Sequence, residues 1–339
     1  MQNNKLNHVL KTVSRSFYLS IRILPSAMRE PVSIAYLLAR AADSIADTAM
    51  LDHNKRLEYL LNFKHLLVDS NLKQKQLQDL QSVVSNIEHA GERELLSQLS
   101  NVLMAYQQLS PKDHEAVEKV VYTLTTGMEK DLHFFKSEEI IKALPDDDTL
   151  DEYTYYVAGC VGEFWTDLSI IHTPSLSHWH QKNMSQLGIE FGKALQLTNI
   201  LRDIAKDVKL NRCYLPGSDL KKYSFSPDML FDKQYNRQLT PVILKWLKQA
   251  DQYFDSAEIY LLNIPRHCFR LRLAALWPII IGLATLKLIK EKKNYLDADT
   301  NVKVKRKWVY KMLLMSIPAV LSNTLLRYWI KSLRNHYPT

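Results

Sequence analysis

Glycine is scarce in this chain, 8 of 339 residues. Sheet turns and nucleotide-cradling loops need Gly, whereas helices avoid it. With Leu, Ala, Lys and Gln abundant, the shortage argues against a turn-rich β architecture and for helices throughout. Cysteine is sparser still: Cys160, Cys213 and Cys268 are odd in number and widely spaced. That speaks against a disulfide framework or a zinc site and fits reduced, partly buried thiols in a cytoplasmic protein. The opening stretch MQNNKLNHVLKTVSRSF has neither an apolar core nor a small-residue cleavage site, so it is not read as a signal peptide. Long apolar runs are also missing. Residues 273–288 fall short of a bilayer span, and 312–326 are interrupted by Ser, Pro and Asn. Both are expected as buried helices.

Charge is not balanced: 44 Lys and Arg against 36 Asp and Glu leave +8. Such a surplus suits nucleic acid, an anionic membrane or a phosphorylated small molecule. Neither zinc spacing nor an aromatic RNA-binding motif accompanies it, so no nucleic-acid partner is expected.

What the chain does have is helical periodicity from end to end. Helices are expected over 13–24, 30–49, 57–68, 74–90, 93–108 and from Pro111 to about residue 129. Pro25 stops the first, and Pro31 suits the first turn of the second. In PDDDT, Thr149 followed three residues later by Glu152 reads as a capping box, which starts a helix running to about residue 171. Asp146, Asp147 and Asp148 then read as a solvated turn, because three successive residues cannot share one helical face. A long helix is expected over 185–208, a loop over 211–227, two helices between 227 and 260, another over 266–290, and a helical tail over 302–336 broken near Pro318. Neither a fixed-period repeat nor a low-complexity linker divides the chain. A single all-α domain over 1–339 is the simplest organisation.

Two helices carry chemistry. YLLARAADSIADT places Tyr36, Arg40, Asp43 and Asp47 at spacings of 4, 3 and 4, one helical face. The remaining residues are almost all apolar, which implies burial. Two carboxylates one turn apart on a buried helix repel each other and lose hydration, so a cation must compensate. In FGKALQLTNILRDIAKDV, Gln196, Asn199, Asp203 and Asp207 form a second polar face at spacings of 3, 4 and 4, with Arg202 beside it. One Asp-x-x-x-Asp pair alone is usually a solvated helix face. Two of them, each in an apolar helix, favour a shared purpose: Mg²⁺, held by one or two carboxylates together with substrate phosphates. A third segment, YTYYVAGCVGEFWTDL, embeds Ala158, Gly159 and Gly162 in a helical pattern. Close helix packing and a substrate channel account for these small residues equally well.

SRSF, LARAADSIAD, YYVAGCVG and QLTNILRDIAKDVKLNRCYLP, in that order, resemble the squalene/phytoene synthase family over roughly residues 13–278. Within that family the chain looks like the bacterial squalene synthases. The resemblance implies an all-α isoprenoid-synthase bundle around a central cavity. Asp43 and Asp47 would stand on one wall and Asp203 and Asp207 on the other, binding Mg²⁺ and diphosphate, with Gln196 and Asn199 preceding the second pair and Asn199 close to metal or diphosphate. Tyr153 matches a tyrosine that assists proton removal. Phe17, Tyr36, Val157, Ala158 and Gly162 match cavity-lining positions, and Arg15, Arg40 and Arg202, with Ser16 beside them, match positions that meet diphosphate or cofactor phosphates. Residues 301–307, NVKVKRK, resemble a basic segment that binds the phosphates of NADPH, which assigns Lys303, Lys305 and Arg306 to that cofactor.

The implied reaction joins two farnesyl diphosphates head to head through a cyclopropyl (presqualene) diphosphate, followed by NADPH-dependent reduction to squalene. Four positions in three segments depart from the family pattern. Ala46 stands where an acidic residue is frequent, Lys206 where Glu is usual, and Ala274 and Ala275 where aromatic residues linked to the second half-reaction are found. These departures keep open a synthase that stops at dehydrosqualene or phytoene without reduction. A non-catalytic assembly or binding protein on the same fold is the alternative from another class. A basic chain with a lipid product also suits peripheral attachment to the inner face of a membrane.

Overall fold

The computed structural model describes residues 2–14, 17–48, 51–68, 77–80, 87–136, 140–292, 294–298 and 302–334. Among them the chain is all-α, with one short two-stranded ladder. Helices α1 (Gln2–Ser14), α2 (Phe17–Ile23), α3 (Ser26–Ala46), α4 (His53–Val68), α5 (Ala90–Ser97), α6 (Leu99–Gln107) and α7 (Pro111–Phe134) precede strand β1 (Lys142–Leu144). Helix α8 (Asp147–Thr154) continues through a π-helical turn, Tyr155–Gly159, into α9 (Cys160–His172). Then come α10 (Gln181–Lys209), β2 (Arg212–Pro216), α11 (Gly217–Lys222), two 3-10 turns, α12 (Asn236–Asn263), α13 (Phe269–Glu291), α14 (Arg306–Ala319) and α15 (Asn323–Arg334).

Several boundaries differ from expectation for local reasons. The helix expected over 30–49 starts at Ser26 and ends at Ala46. The Pro25 carbonyl accepts from the amides of Met28 and Arg29, and Pro31 lies one turn inside. The expected helix over 93–108 is two helices, parted where the Gln98 amide folds back onto the carbonyls of Glu94 and Leu95. The cap of α8 is Asp146 rather than Thr149: its carboxylate accepts from the Thr149 amide at 2.9 Å and the Thr149 hydroxyl at 2.7 Å. The stretch 211–227, expected as a loop, holds β2 and α11. Asn211, in the left-handed region at φ 58°, follows the end of α10 as a residue that tolerates this conformation. Between 227 and 260 the two expected helices are two 3-10 turns and the start of one long helix. Of the helix expected over 74–90, residues 77–80 are helical, 87–89 are not and Ala90 begins α5; residues 74–76 and 81–86 lie outside the described residues.

Contacts divide the chain into two units: Met1–Lys136 with Asp167–Ser177, and Ser137–Thr166 with His178–Thr339. In the first, α3 is the central element and packs on α4, α5, α6 and α7. Leu37, Leu38, Ala41, Ala42 and Ile45 bury its inner side. Ser110 caps α7, accepting from the Asp113 amide, with Pro111 in the first turn as its fixed φ favours.

In the second unit α10 is central and packs on the π turn, α12 and α13. Its approach to the π turn and the start of α9 is backbone on backbone. A Cβ on Gly162 would lie 1.8 Å from the Gly188 carbonyl oxygen, and one on Gly192 would lie 2.2 Å from that of Ala158. Close helix packing, one of the two explanations the sequence left open, therefore accounts for Gly162. Lys193 donates to both oxygens of Asp151 at 2.7 Å, and the Tyr253 hydroxyl donates to the same carboxylate at 2.9 Å, tying α8, α10 and α12 together.

Helix α13 is long and apolar enough to cross a membrane by composition, but 67% of its most apolar window is buried within the protein. It serves as core, as expected for residues 273–288. The other apolar stretch does not. Across 312–326, Leu314, Met315, Ile317, Leu321 and Leu325 are exposed, because only one side of α14 and α15 packs on α13.

Candidate active site

In the first unit, α3 carries Tyr36, Arg40 and Asp43, and Asp47 is the residue that ends it. The Asp47 amide donates to the Asp43 carbonyl at 2.9 Å, so the second carboxylate sits just past the last helical turn and is exposed. Asp43 is partly covered, its side chain 36% accessible. The expectation that both carboxylates are buried therefore holds only in part, since the helix stops three residues before the predicted end. Burial, and next the negative charge of Asp47, push the Asp43 carboxyl up to about 7, against the opposing pull of Arg40. Arg40 donates to Asp43 and, at 2.5 Å, to Glu92 on α5. The Tyr36 hydroxyl donates to the Val13 carbonyl at 3.2 Å, and its ring lies 6.1 Å from that of Phe17, which is 52% exposed. Arg15 and Ser16 lie outside the described residues.

In the second unit, Gln196, Asn199, Asp203 and Asp207 form the partly exposed stripe of α10, opposite buried Leu197, Ile200, Leu201 and Ile204. Asn199 donates to Gln196 at 3.3 Å. Asp203 accepts from Arg202 Nε at 3.0 Å and from Lys206 at 2.7 Å. Burial opposes ionisation of Asp203, but these two cations outweigh it and hold the carboxyl below its usual range. Lys206 thus pairs with Asp203.

Beside this stripe is an open recess of ≈ 230 Å³ whose lining includes Arg202, Asp203, Lys206, Lys292, Asp297 and Val302. Desolvation, aided by the neighbouring charge of Lys206, lowers the Lys292 ammonium even against Asp297. Arg202, Lys206 and Lys292 share this lining with Asp203 and Asp297, and Asp203 pairs with both Arg202 and Lys206. Val302 brings the basic segment to its rim: Lys303, Lys305 and Arg306 follow directly and are exposed, with Lys305 as the residue before α14.

Tyr153 on α8 stacks on Tyr214 of β2, centroids 4.7 Å apart and planes 24° from parallel. Val157 and Ala158 lie in the π turn and are partly exposed. A π turn widens the helix by one residue and is frequent at functional sites. Buried Ala274 and Ala275 are core residues of α13.

The donor set suits Mg²⁺. Among the described residues no three His, Cys, Asp or Glu side chains form a cage. Each motif offers two carboxylates, which fits an ion that takes one or two and fills its octahedron with water and phosphate oxygen. The mutual repulsion that raises Asp43 is the kind a divalent cation relieves.

A family model described as squalene/phytoene synthase matches residues 10–308. The chain belongs to the squalene/phytoene synthase family. It is 30% identical over 230 residues to a bifunctional lycopene cyclase/phytoene synthase of Neurospora crassa, covering 66% of this chain and 37% of that protein. To a squalene synthase of Saccharomyces cerevisiae it is 26% identical over 300 residues, 88% of this chain and 63% of the relative. The chain thus spans less than two thirds of either relative's length. Its fold matches a solved complex of TcSQS with the ligand E5700 at a TM-score of 0.80 and 23% identity, over 100% of this chain and 93% of the other. The all-α fold expected from the sequence is that of the family.

Pattern alone missed three contributors. Glu92 is 52 residues from Arg40, Lys292 is far along the chain from Asp203, and neither belongs to a local motif. Tyr214 did stand within the quoted run ending RCYLP, yet nothing in that run signals its stacking on Tyr153.

Proposed function

We propose that the chain catalyses Mg²⁺-dependent head-to-head condensation of two farnesyl diphosphates to a cyclopropyl diphosphate, followed by NADPH-dependent reduction to squalene. Asp43 and Asp47 in the first unit, and Asp203, Asp207 and Asn199 in the second, are the residues that would hold metal. Bound Mg²⁺ would neutralise the diphosphate and so assist its departure.

The protein's own groups do the rest. Arg202, Lys206 and Lys292 orient the diphosphate oxygens and stabilise the charge that develops on them. Arg40 steadies Asp43, with Arg15 and Ser16 assigned to the same anion by resemblance alone. Phe17, Tyr36, Val157 and Ala158, assigned to the lining by resemblance alone, would exclude water from the allylic cation, which is attacked by the double bond of the second molecule. Tyr153, or the released diphosphate, takes the proton lost as the cyclopropane closes. A second ionisation and rearrangement follow, and Lys303, Lys305 and Arg306 hold the phosphates of the dinucleotide that supplies hydride.

The observation that carries the reductive reading is that Val302, at the head of the basic segment, lines the same recess as Arg202, Asp203 and Lys206. A second reading, release of dehydrosqualene or phytoene without reduction, is favoured by Ala274 and Ala275 and by the phytoene synthase portion of the Neurospora relative. Incubation of the purified chain with farnesyl diphosphate, and separately with geranylgeranyl diphosphate, each with Mg²⁺ and with or without NADPH, decides by product mass. Squalene formed only with NADPH supports the first reading. An unreduced hydrocarbon in both cases selects the second, and no condensation in either refutes both.

A further inference from the structure

Arg40 is shared between two carboxylates that the fold brings from different helices. Its Nη1 donates to Asp43 Oδ2, one turn along α3, and its Nη2 donates to Glu92 Oε1 on α5 at 2.5 Å. Its Nε is buried and has no acceptor. The guanidinium therefore gives one nitrogen to each acid and closes as a two-pronged fork on neither, although the fork is the stronger arrangement. The second motif differs: there Arg202 gives both Nε, at 3.0 Å, and Nη2 to Asp203.

Glu92 is fixed where it stands. It lies in the first turn of α5, where the helix dipole favours a carboxylate, and its side chain is only 17% accessible. Leu95 and Leu96 on the same helix are fully buried, and α5 packs on α1 and α3. His89 is a second basic group beside it, with Nδ1 4.0 Å from Glu92 Oε1. Asp43, Asp47 and Glu92 set three carboxylates against one guanidinium, and the charges of Asp47 and Glu92 both bear on Asp43. The cluster is thus formally negative in excess, which suits a cation of charge two.

We infer that Glu92 is a positioning residue for the Asp43–Asp47 motif: by holding Nη2 of Arg40 it keeps the guanidinium from closing as a fork on Asp43 and leaves that carboxylate available to a divalent cation. The inference rests on the proposed reading of Asp43 and Asp47 as metal ligands and adds to it a residue from outside the motif. Without the Glu92 charge, Nη2 loses its partner in a partly covered site, and an unpaired donor there is costly. Asp43, already bound to Nη1, is the carboxylate within its reach. A fork on Asp43 would compete with the metal for the same oxygens.

The test measures binding of Mn²⁺, which takes the same oxygen ligands as Mg²⁺, by electron paramagnetic resonance of the free ion, with no substrate present. The full chain carries Asp203→Asn and Asp207→Asn, so that the first motif is the acceptor. Adding Glu92→Gln should weaken Mn²⁺ binding at least about tenfold, as loss of a group that orients metal-binding residues does. In a chain that also carries Arg40→Gln, the same change should weaken binding by no more than about twofold, because no guanidinium is left to restrain. Glu92→Asp keeps the charge but draws it back by one methylene. It should weaken binding less than Glu92→Gln, and it serves the same comparison where circular dichroism shows the Gln variant unfolded. A loss of equal size with and without Arg40 would mean that Glu92 acts by its own charge, and would overturn the inference. So would binding that Asp43→Asn abolishes and Glu92→Gln leaves unchanged; the reading of the motif as a metal site survives both results. Mn²⁺ binding indifferent to Asp43→Asn would overturn that reading and the inference together.

Discussion

Asp43 and Asp203 occupy equivalent places in two similar sequence motifs, yet their surroundings push them in opposite directions. Asp43 is raised by burial and by Asp47, whereas Asp203 is held low by Arg202 and Lys206. Under the proposed function, Asp43→Asn and Asp203→Asn should each lower turnover by at least about a hundredfold with the fold intact. Steady-state assay and circular dichroism check this, and near-normal turnover in either variant would remove the motifs from the mechanism. Asp43→Asn should in addition raise the melting temperature of the metal-free protein, because it deletes a repelled, half-covered charge, while Asp203→Asn should lower it by breaking two ion pairs. The polar face of α10 could be read from spacing alone. The partners of that face could not: Glu92 and Lys292 enter through tertiary contacts between segments with no shared local signal, and the end of α3 at Ala46 is not marked by any Gly or Pro.

Elements were legible where side-chain period and punctuation agreed, as in α7, with Ser110-Pro111 at its start, or α10, with its two polar and apolar faces. They were not where a tertiary contact overrode local pattern. The loop expected over 211–227 contains a strand because β1 offers its edge to β2, pairing Lys142 with Arg212 and Ala143 with Cys213. The π turn at Tyr155–Gly159 likewise has no sequence mark beyond its small residues. Where Gly162 and Gly188 touch, Gly162→Ala should force the helices apart and cost about 1–3 kcal/mol, as overpacking does, read by denaturant unfolding. Asp219 on α11 accepts from Trp246 Nε1 at 3.0 Å, Lys245 at 2.6 Å and Lys222 at 2.9 Å. Burial works against its charge, but these donors prevail and hold the carboxyl below its usual range. Its folded-state pKa is depressed, so the stability it contributes is present at neutral pH. That stability is lost as pH falls through the ordinary carboxylate range toward the lowered value. Asp219→Asn should cost about 1–3 kcal/mol at pH 7 and show a shallower loss of melting temperature in acid than the wild type.

At the scale of the whole chain, the family match over residues 10–308 leaves only short flanks, and the fold match covers all of it. Under the proposed function, the chain is expected to condense farnesyl diphosphate when Mg²⁺ is supplied and to stop when a chelator is added, with activity restored by excess Mg²⁺. Restoration by nothing, or turnover unaffected by chelation, would contradict the assignment of the Asp motifs to a metal. Lys303→Glu/Lys305→Glu should reduce hydride-dependent product at least about tenfold while sparing the first condensation, because charge reversal repels the cofactor phosphates. Gas chromatography of the two products separates the half-reactions. Net charge alone, read from composition, pointed to a phosphorylated ligand or a membrane without choosing.

The β1–β2 ladder is three and five residues long, yet it joins the strand that leads into the Tyr153 helix to the strand that leaves the Asp203 helix. It works as a clasp: whatever sets the register of Ala143 on Cys213 also sets how far the tyrosine stands from the carboxylates. A one-residue slip there would displace Tyr153, the proton acceptor of the proposed function, without emptying the core. Damage to so small a feature should therefore register in the reaction well before it registers in melting.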